Sequence, residues 1–377
     1  MPKIAIIGSL AESLIGFRGP LIREMVVLEH EVIACAPQAS EMVRNELLRL
    51  GAQYVDLPLQ RTGTNPLADL NALWHLIRFF QTWKPDIIFS YTIKPVIYGS
   101  IAAAIAKVPF ISSMITGLGY LAAEEGEKEQ RWLKSLIRQL YACGLRRNQV
   151  IFFQNNDDRD FLEKMGLLRE NRSATVVVNG SGVDLEYYGE RPLPQEISFL
   201  MIARLVLDKG IKEYLEAATV IKKRYPHVRF GIVGFADANP RSIREEDLQV
   251  YIEAGIIEFY GRQADVRPYI ENASVYVLPS YREGTPRTVL EAMSMGRPVI
   301  TTDAPGCRET VREGFNGYLV PVRDTRRLAE AMESFITNPA KITALGRNGR
   351  QLAMDKYDVR KINRVILYNL GLVRNVG

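Results

Sequence analysis

LPSYREGTPRTVLEAMSMGRP, Leu278 to Pro298, reads as the end of a strand, a turn and a helix. Thr285 is placed to cap the helix and Pro286 to take its first position, where the amide needs no intrahelical partner, while Gly296 and Pro298 supply the stop. The free amides and positive end of such a helix face the carboxyl edge of the sheet, where an anion or a sugar hydroxyl is well held. Outward from this segment the same unit recurs. Short apolar, β-branched runs near Ile197–Ala203, Arg229–Val233, Ile256–Tyr260, Val275–Leu278, Val299–Thr302 and Tyr318–Val320 alternate with helical patterns. An earlier series runs through Lys3–Gly8, Glu31–Ala36, Ile87–Ser90, Phe110–Met114, Val150–Gln154 and Thr175–Val178. Strand–helix alternation means a parallel sheet, so both halves read as doubly wound α/β sheets whose ligands bind outside the carboxyl ends of the strands. The polar, proline-containing stretch Tyr188–Glu196 separates them.

The length agrees with two domains, since 377 residues exceed the usual ceiling for one hydrophobic core. The boundaries are expected at 1–190 and 191–355, with a helix over 356–377 packing back on the first domain. Hydrophobic residues at 47% and charged residues at 24% leave no room for a large disordered part. The longest apolar stretch, Val96 to Ile111, is broken by Lys107 and Pro109 and is too short to span a bilayer. The N-terminus reads as a buried strand rather than a secretory signal, so a cytoplasmic location is expected. Cys35, Cys143 and Cys307 are far apart and lack metal-ligand spacing, which points to buried reduced thiols without chemistry. Neither half carries GxGxxG after its first strand and no GxxxxGK[ST] occurs, which argues against nicotinamide and P-loop chemistry. Nucleic-acid binding is disfavoured, because basic and aromatic residues form no recognised reading module.

Within the quoted stretch, Glu291 lies eight positions after Glu283, a little over two helical turns, so both carboxylates can serve one ligand. Two such glutamates alone are weak evidence, since solvated helix glutamates are common. A second segment adds to them: FLMIARLVLDKG, Phe199 to Gly210, puts Arg204 at the carboxyl end of a strand and Lys209 just before the next helix. Each cation singly has an ordinary explanation, an ion pair or a solvated side chain. Together with the glutamates they outline a site for an anionic ligand.

On these residues the chain resembles the retaining glycosyltransferases of family 4, which have the GT-B fold: two Rossmann-like domains facing a central cleft. The resemblance covers nearly the whole chain. Its signature is the glutamate pair, matched by Glu283 and Glu291, with the Arg and Lys of the first C-terminal loop, matched by Arg204 and Lys209. Further matches are Asn179–Asp184, Pro305–Glu309 and Gly314–Gly317. The resemblance implies that Glu291 binds ribose hydroxyls, and that Glu283 with the backbone of Gly284, Thr285 and Pro286 holds the donor sugar. Arg204 and Lys209 would stabilise the departing diphosphate, with no metal and no cofactor, the nucleotide sugar being a substrate. Attack from the face of the leaving group, with the diphosphate taking the acceptor's proton, then needs no protein nucleophile.

The first half is expected to bind the acceptor. GSLAESLIGFR, Gly8 to Arg18, follows the first strand; Gly16 would let the backbone approach the donor diphosphate, and Phe17 and Arg18 would face the acceptor. Ser90–Gly99, with Lys94 and Tyr98, and Thr116–Tyr120 resemble a subgroup acting on undecaprenyl-diphosphate-linked sugars, where Lys94 would meet the lipid diphosphate. That subgroup implies a uridine diphosphate donor carrying an N-acetylhexosamine, N-acetylgalactosamine first. The histidine that many family members place after the fourth strand is missing: His30, His75 and His227 all lie elsewhere and read as structural or solvated. Asp158 and Asp160, an Asp-x-Asp pair opening a helix, read as dipole-favoured acids rather than metal ligands. Between residues 130 and 147, Trp132, Leu133, Leu136, Ile137, Leu140 and Tyr141 recur at helical spacing beside Arg131, Lys134 and Arg138. This suits peripheral contact with an anionic inner-membrane face, although a helix packing on the sheet looks similar. The alternatives to a transferase are an epimerase of the same fold and a noncatalytic sugar-nucleotide-binding protein.

Overall fold

Strands buried on both faces read as continuous apolar runs, and the computed structural model shows why these do. It describes residues 1–59, 65–122, 128–168, 173–236 and 242–374; the side chains of residues 120, 122 and 128–133 lie outside that description. The chain divides into two units, 1–181 with 360–377, and 182–359.

The first unit holds seven parallel strands: β1 (Lys3–Ile7), β2 (Glu31–Ala36), β3 (Gln53–Asp56), β4 (Ile87–Tyr91), β5 (Phe110–Ile115), β6 (Val150–Phe153) and β7 (Ala174–Val177). Their order in the sheet is β3-β2-β1-β4-β5-β6-β7. Order therefore reverses between β1 and β4, the switch point at which such sheets open a crevice. The segments that carry Gly16–Arg18, at the end of helix Ala11–Gly16, and Lys94 follow these two strands. Strand β3 escapes the sequence pattern because QYVD is a short edge strand with exposed ends and no apolar run. Helix Val359–Asn369 closes this unit, burying Ile362, Ile366, Leu367 and Leu370 in a core shared with Ile4, Ile6, Phe89 and Phe152.

The second unit holds six parallel strands: β8 (Ser198–Ile202), β9 (Arg229–Val233), β10 (Glu258–Phe259), β11 (Val275–Leu278), β12 (Val299–Thr302) and β13 (Gly317–Val320). Their order is β10-β9-β8-β11-β12-β13, with the reversal between β8 and β11. The unit begins at Gly182 rather than at 191 and ends at 359 rather than 355. The reason is a set of hydrogen bonds made by the main chain of residues 183–192. The Val183 N–H donates to Tyr357 O at 2.8 Å, and the Val359 N–H to Val183 O at 3.1 Å. Ser294 Oγ donates to Tyr188 O at 2.7 Å, and the fully buried Arg297 guanidinium donates to Arg191 O and Pro192 O, each at 2.6 Å. Burial lowers the Arg297 pKa to about 10, and the surrounding carbonyls satisfy a cation that would otherwise be costly there.

Helix Lys128–Leu145 is where the membrane expectation meets the fold. Tyr141 is buried in the core formed by Val96, Ile115, Ile151 and Phe153, and Ile137 and Leu140 pack against it. Of the described apolar residues in that pattern, Leu136 is exposed. The apolar face is thus used by the sheet, which corrects the reading of these residues as a lipid-facing stripe. Cys143 on the same helix is exposed as well, which corrects the expectation of three buried thiols; Cys35 and Cys307 are buried. Arg131, Trp132 and Leu133 belong to the side chains outside the description. Among the described residues no helix is long and apolar enough to cross a membrane.

Candidate functional site

Two loops at the β8/β11 switch point carry the candidate residues. After β8 the chain passes Arg204, makes a short 3-10 turn over Leu207–Lys209, and enters helix Ile211–Arg224 through Gly210 at φ 75°. Glycine is required at 210 for two reasons: the left-handed backbone, and a β-carbon there would strike the Pro279 carbonyl oxygen. That close approach lets the neighbouring loop lie across it. After β11, Tyr281 N–H donates to Asp208 O at 2.8 Å and Ser280 Oγ to the same oxygen at 3.1 Å. The two loops are therefore laced together by backbone.

Lys209 and Glu283 then meet as an ion pair, Nζ on Oε1, with the side chains 19% and 15% exposed. Glu283 is held from below: its N–H donates to Pro305 O at 2.9 Å, and Gly306, at φ 80°, packs so closely that a β-carbon would strike the Glu283 carbonyl oxygen. Glu283 sits in the turn, so the helical spacing with Glu291 is not what joins the pair. The helix is Arg287–Ser294, with Pro286 as its N-cap and no capping hydrogen bond from the Pro286 side chain. It starts one residue later than expected, because Pro286 has ψ 108°, an extended backbone rather than a helical one. The stop is as the glycine suggests: Gly296 has φ 86°.

Glu291 lies on this helix, 5% exposed, with Arg287 Nε at 2.9 Å from Oε1 one turn earlier. Burial raises its pKa, opposed by the Arg287 charge and by a hydrogen bond from Tyr188. The hydroxyl of Tyr276, buried on β11, donates to Ile202 O at 3.1 Å and shares a hydrogen bond of 2.6 Å with the Thr288 hydroxyl. Burial pushes that hydroxyl's pKa up, and the negative charges of Glu291 and Glu283 push it in the same direction. Gly284, Thr285 and Pro286 form the turn between them. The arrangement offers carboxylates for hydroxyl groups and two cations, Arg204 and Lys209, for an anion. Tyr188, Tyr276 and Arg287 were not singled out in the sequence; the i,i+4 spacing of Arg287 and Glu291 is the signal that could have found one of them.

In the first unit the acceptor-side residues are placed differently from one another. Gly16 ends helix Ala11–Gly16 and is exposed, and Phe17 is 43% exposed. Arg18 is 2% exposed, its guanidinium 4.9 Å from the Tyr91 ring centroid and 5.6 Å from that of Phe89. It lies under the strand ends instead of standing in solvent. Lys94 Nζ pairs with Asp69 Oδ1 at 2.5 Å, and Tyr98 OH donates to Asp69 Oδ2 at 2.9 Å. Lys94 thus carries a counter-ion from helix Pro66–Trp83, and Tyr98 lies on the π-helical turn Pro95–Gly99. Asn155 caps helix Asn156–Lys164 by accepting from the Asp158 N–H at 2.7 Å; Asp158 is buried, and Asp160 pairs with Arg159. Among the described residues no group of three or more His, Cys, Asp or Glu could hold a metal ion.

Comparison with known proteins matches both units. The family described as "Glycosyl transferases group 1" matches residues 190–352, and the "Glycosyl transferase 4-like domain" matches residues 19–180. The chain is 26% identical over 370 residues to the N,N'-diacetylbacillosaminyl-diphospho-undecaprenol alpha-1,3-N-acetylgalactosaminyltransferase of Campylobacter jejuni, covering 94% of this chain and 95% of that one. It is 24% identical to the UDP-Gal:alpha-D-GlcNAc-diphosphoundecaprenol alpha-1,3-galactosyltransferase of Escherichia coli, over 82% and 81% of the two chains. Among solved structures, Anabaena HepE in complex with UDP-glucose superposes with a TM-score of 0.79 at 19% identity, covering 99% of this chain and 100% of that one.

Proposed function

We propose, from the premise that this chain belongs to the glycosyltransferases, its second unit to group 1 and its first to the 4-like domains, a specific reaction for it. It moves an N-acetylhexosamine, N-acetylgalactosamine before others, from uridine diphosphate to a saccharide linked to a lipid diphosphate, with retention of configuration. The names of the two lipid-diphosphate relatives support the acceptor class, and the complex of a like-folded protein with UDP-glucose supports the donor class.

The observation that carries the reading is the Lys209–Glu283 ion pair across the β8/β11 switch point, with Arg204 following β8 in the loop of Lys209 and Glu291 on the helix that follows the loop of Glu283. Glu291 binds the ribose hydroxyls, Glu283 and the turn Gly284–Pro286 hold the donor sugar, and Arg204 and Lys209 meet the diphosphate. In the reaction the bond from the anomeric carbon to the β-phosphate oxygen breaks. An acceptor hydroxyl oxygen bonds to the same face of that carbon, and its proton passes to the departing diphosphate. Charge grows on the diphosphate in this step, and fixed cations aimed at growing charge are among the larger catalytic terms. Two side-chain cations supply this charge without a metal.

The first unit supplies the acceptor side through Phe17, Lys94 and Tyr98, with Asp69 setting the Lys94 ammonium. A lipid-linked acceptor brings the protein to the cytoplasmic face of the inner membrane. The exposed Arg138, Arg146 and Arg147 would meet anionic headgroups there, each adding roughly 1 kcal/mol near such a surface.

The test is Lys209→Ala, assayed with UDP-N-acetylgalactosamine and a polyprenyl-diphosphate saccharide. Turnover is expected to fall by about 10²–10³ while the thermal transition stays in place. Near-normal turnover would remove Lys209 from leaving-group stabilisation.

A further inference from the structure

Glu213 stands in the first turn of helix Ile211–Arg224, four residues past Lys209, and is 6% exposed. Its Oε1 accepts the Tyr281 hydroxyl proton at 2.6 Å; its Oε2 is buried with no hydrogen-bond partner among the described residues. A carboxylate with one oxygen unsatisfied is costly to bury, so the single bond it makes calls for an explanation.

Tyr281 gives one. It is fastened at both ends, through its N–H to Asp208 O at 2.8 Å and through its hydroxyl to Glu213. Its ring carries the Arg323 guanidinium at 4.8 Å from the centroid, which fixes the ring from the other side. Asp208 precedes Lys209 and Tyr281 lies two residues before Glu283. The tyrosine therefore spans from the loop of Glu283 to the helix behind the loop of Lys209. Backbone contact at Gly210 and Pro279 sets how near the loops lie, and the Glu213–Tyr281 bond is a second, side-chain tie between them.

We propose that Glu213 is a positioning residue of this site, acting through Tyr281 to hold the Lys209 loop and the Glu283 loop in register. The proposal rests on the reading of Lys209 and Glu283 as the donor-site pair. Displacing a leaving-group cation by a fraction of an ångström weakens the transition state more than it weakens the bound nucleotide, which Glu291 also holds.

The experiment measures kcat with saturating donor and acceptor, UDP affinity by calorimetry, and thermal melting for the full chain. The variants are Glu213→Ala, Glu213→Gln, Tyr281→Phe, the Glu213→Ala/Tyr281→Phe double variant and Lys209→Ala. Glu213→Ala and Tyr281→Phe are each expected to lower kcat about tenfold while UDP affinity changes less than about threefold, the size of effect that loss of one charge-assisted bond at a positioned site gives. The double variant should be no worse than the poorer single one, since both remove the same bond. Glu213→Gln, whose amide oxygen still accepts, should return kcat to within about threefold of the parent.

Unchanged kcat in Tyr281→Phe, additive losses in the double variant, or Glu213→Gln as slow as Glu213→Ala would overturn the proposal. Should Glu213→Ala not fold, Tyr281→Phe and Glu213→Gln decide it. Normal turnover in Lys209→Ala would overturn the donor-site reading and the proposal together. Loss in Lys209→Ala with none in Tyr281→Phe would overturn the positioning role alone.

Discussion

Lys209 and Glu283 are already joined to each other before any diphosphate arrives. A nucleotide that uses the Lys209 ammonium must compete with that carboxylate, and once Lys209 turns to phosphate, Glu283 is released for sugar hydroxyls. Glu283→Gln is therefore expected to bind UDP about three- to tenfold more tightly than the parent, since a partly screened ion pair no longer opposes binding, and yet to turn over more slowly. Calorimetry with UDP alone checks this, and equal or weaker affinity would show that the pair does not compete. Glu291 gives a second residue-level expectation. Burial raises its pKa above the ordinary 4.5, so the folded protein holds the proton more tightly than the unfolded chain does. The stability this gives is fully present below the unfolded value and is lost as pH rises through the raised folded value. Glu291→Gln, a neutral mimic, should thus gain melting temperature against the parent as pH rises above the ordinary carboxylate range, while losing UDP affinity. A melting difference that does not change with pH would contradict the burial argument. The sequence made the four charged residues legible by type and spacing. It did not reveal the pairing of Lys209 with Glu283, which are 74 positions apart and meet only through the adjacency of β8 and β11.

At the scale of elements, the two loops are placed by glycines whose missing β-carbons admit a neighbouring backbone. Gly210→Ala would put a side chain at φ 75° and against the Pro279 carbonyl. The left-handed conformation costs about 1 kcal/mol and the contact forces the loops apart, so a loss of about 2 kcal/mol or more is expected by urea unfolding. A change under about 0.5 kcal/mol would mean the loops do not interlock there. Helix Lys128–Leu145 shows where periodicity stops informing. A sheet and a membrane ask for the same apolar stripe, and here Ile137, Leu140 and Tyr141 turn to the sheet. The start of helix Arg287–Ser294 was missed by one residue because Pro286 suits both the cap and the first helical position in φ, and only ψ distinguishes them. Strand β3 was invisible because QYVD has neither the apolar run nor the clean alternation of a buried strand.

For the whole molecule, strand–helix alternation foretold parallel strands, the length and the polar break at Tyr188–Glu196 foretold two sheets of them, and both sheets reverse order where the candidate loops emerge. The boundary was less legible. Tyr188–Glu196 looks like a linker in composition, yet Val183 is tied to Tyr357 and Val359 by main-chain bonds, and the Tyr188 carbonyl accepts from the Ser294 side chain far along the chain. The residues proposed for the acceptor were located by the sequence after β1 and β4, but not their surroundings: Arg18 is buried and Lys94 is matched by Asp69, a partner on a helix that precedes β4. The most direct test of the central claim joins both units in one reaction. The full chain would be incubated with UDP-N-acetylgalactosamine, a polyprenyl-diphosphate saccharide and a chelator, the product weighed by mass spectrometry and its new linkage assigned by NMR. The account expects the acceptor to gain one N-acetylhexosamine in the α configuration of the donor. A β linkage, a donor that is isomerised or hydrolysed while the acceptor mass stays unchanged, or a reaction abolished by chelator would contradict it.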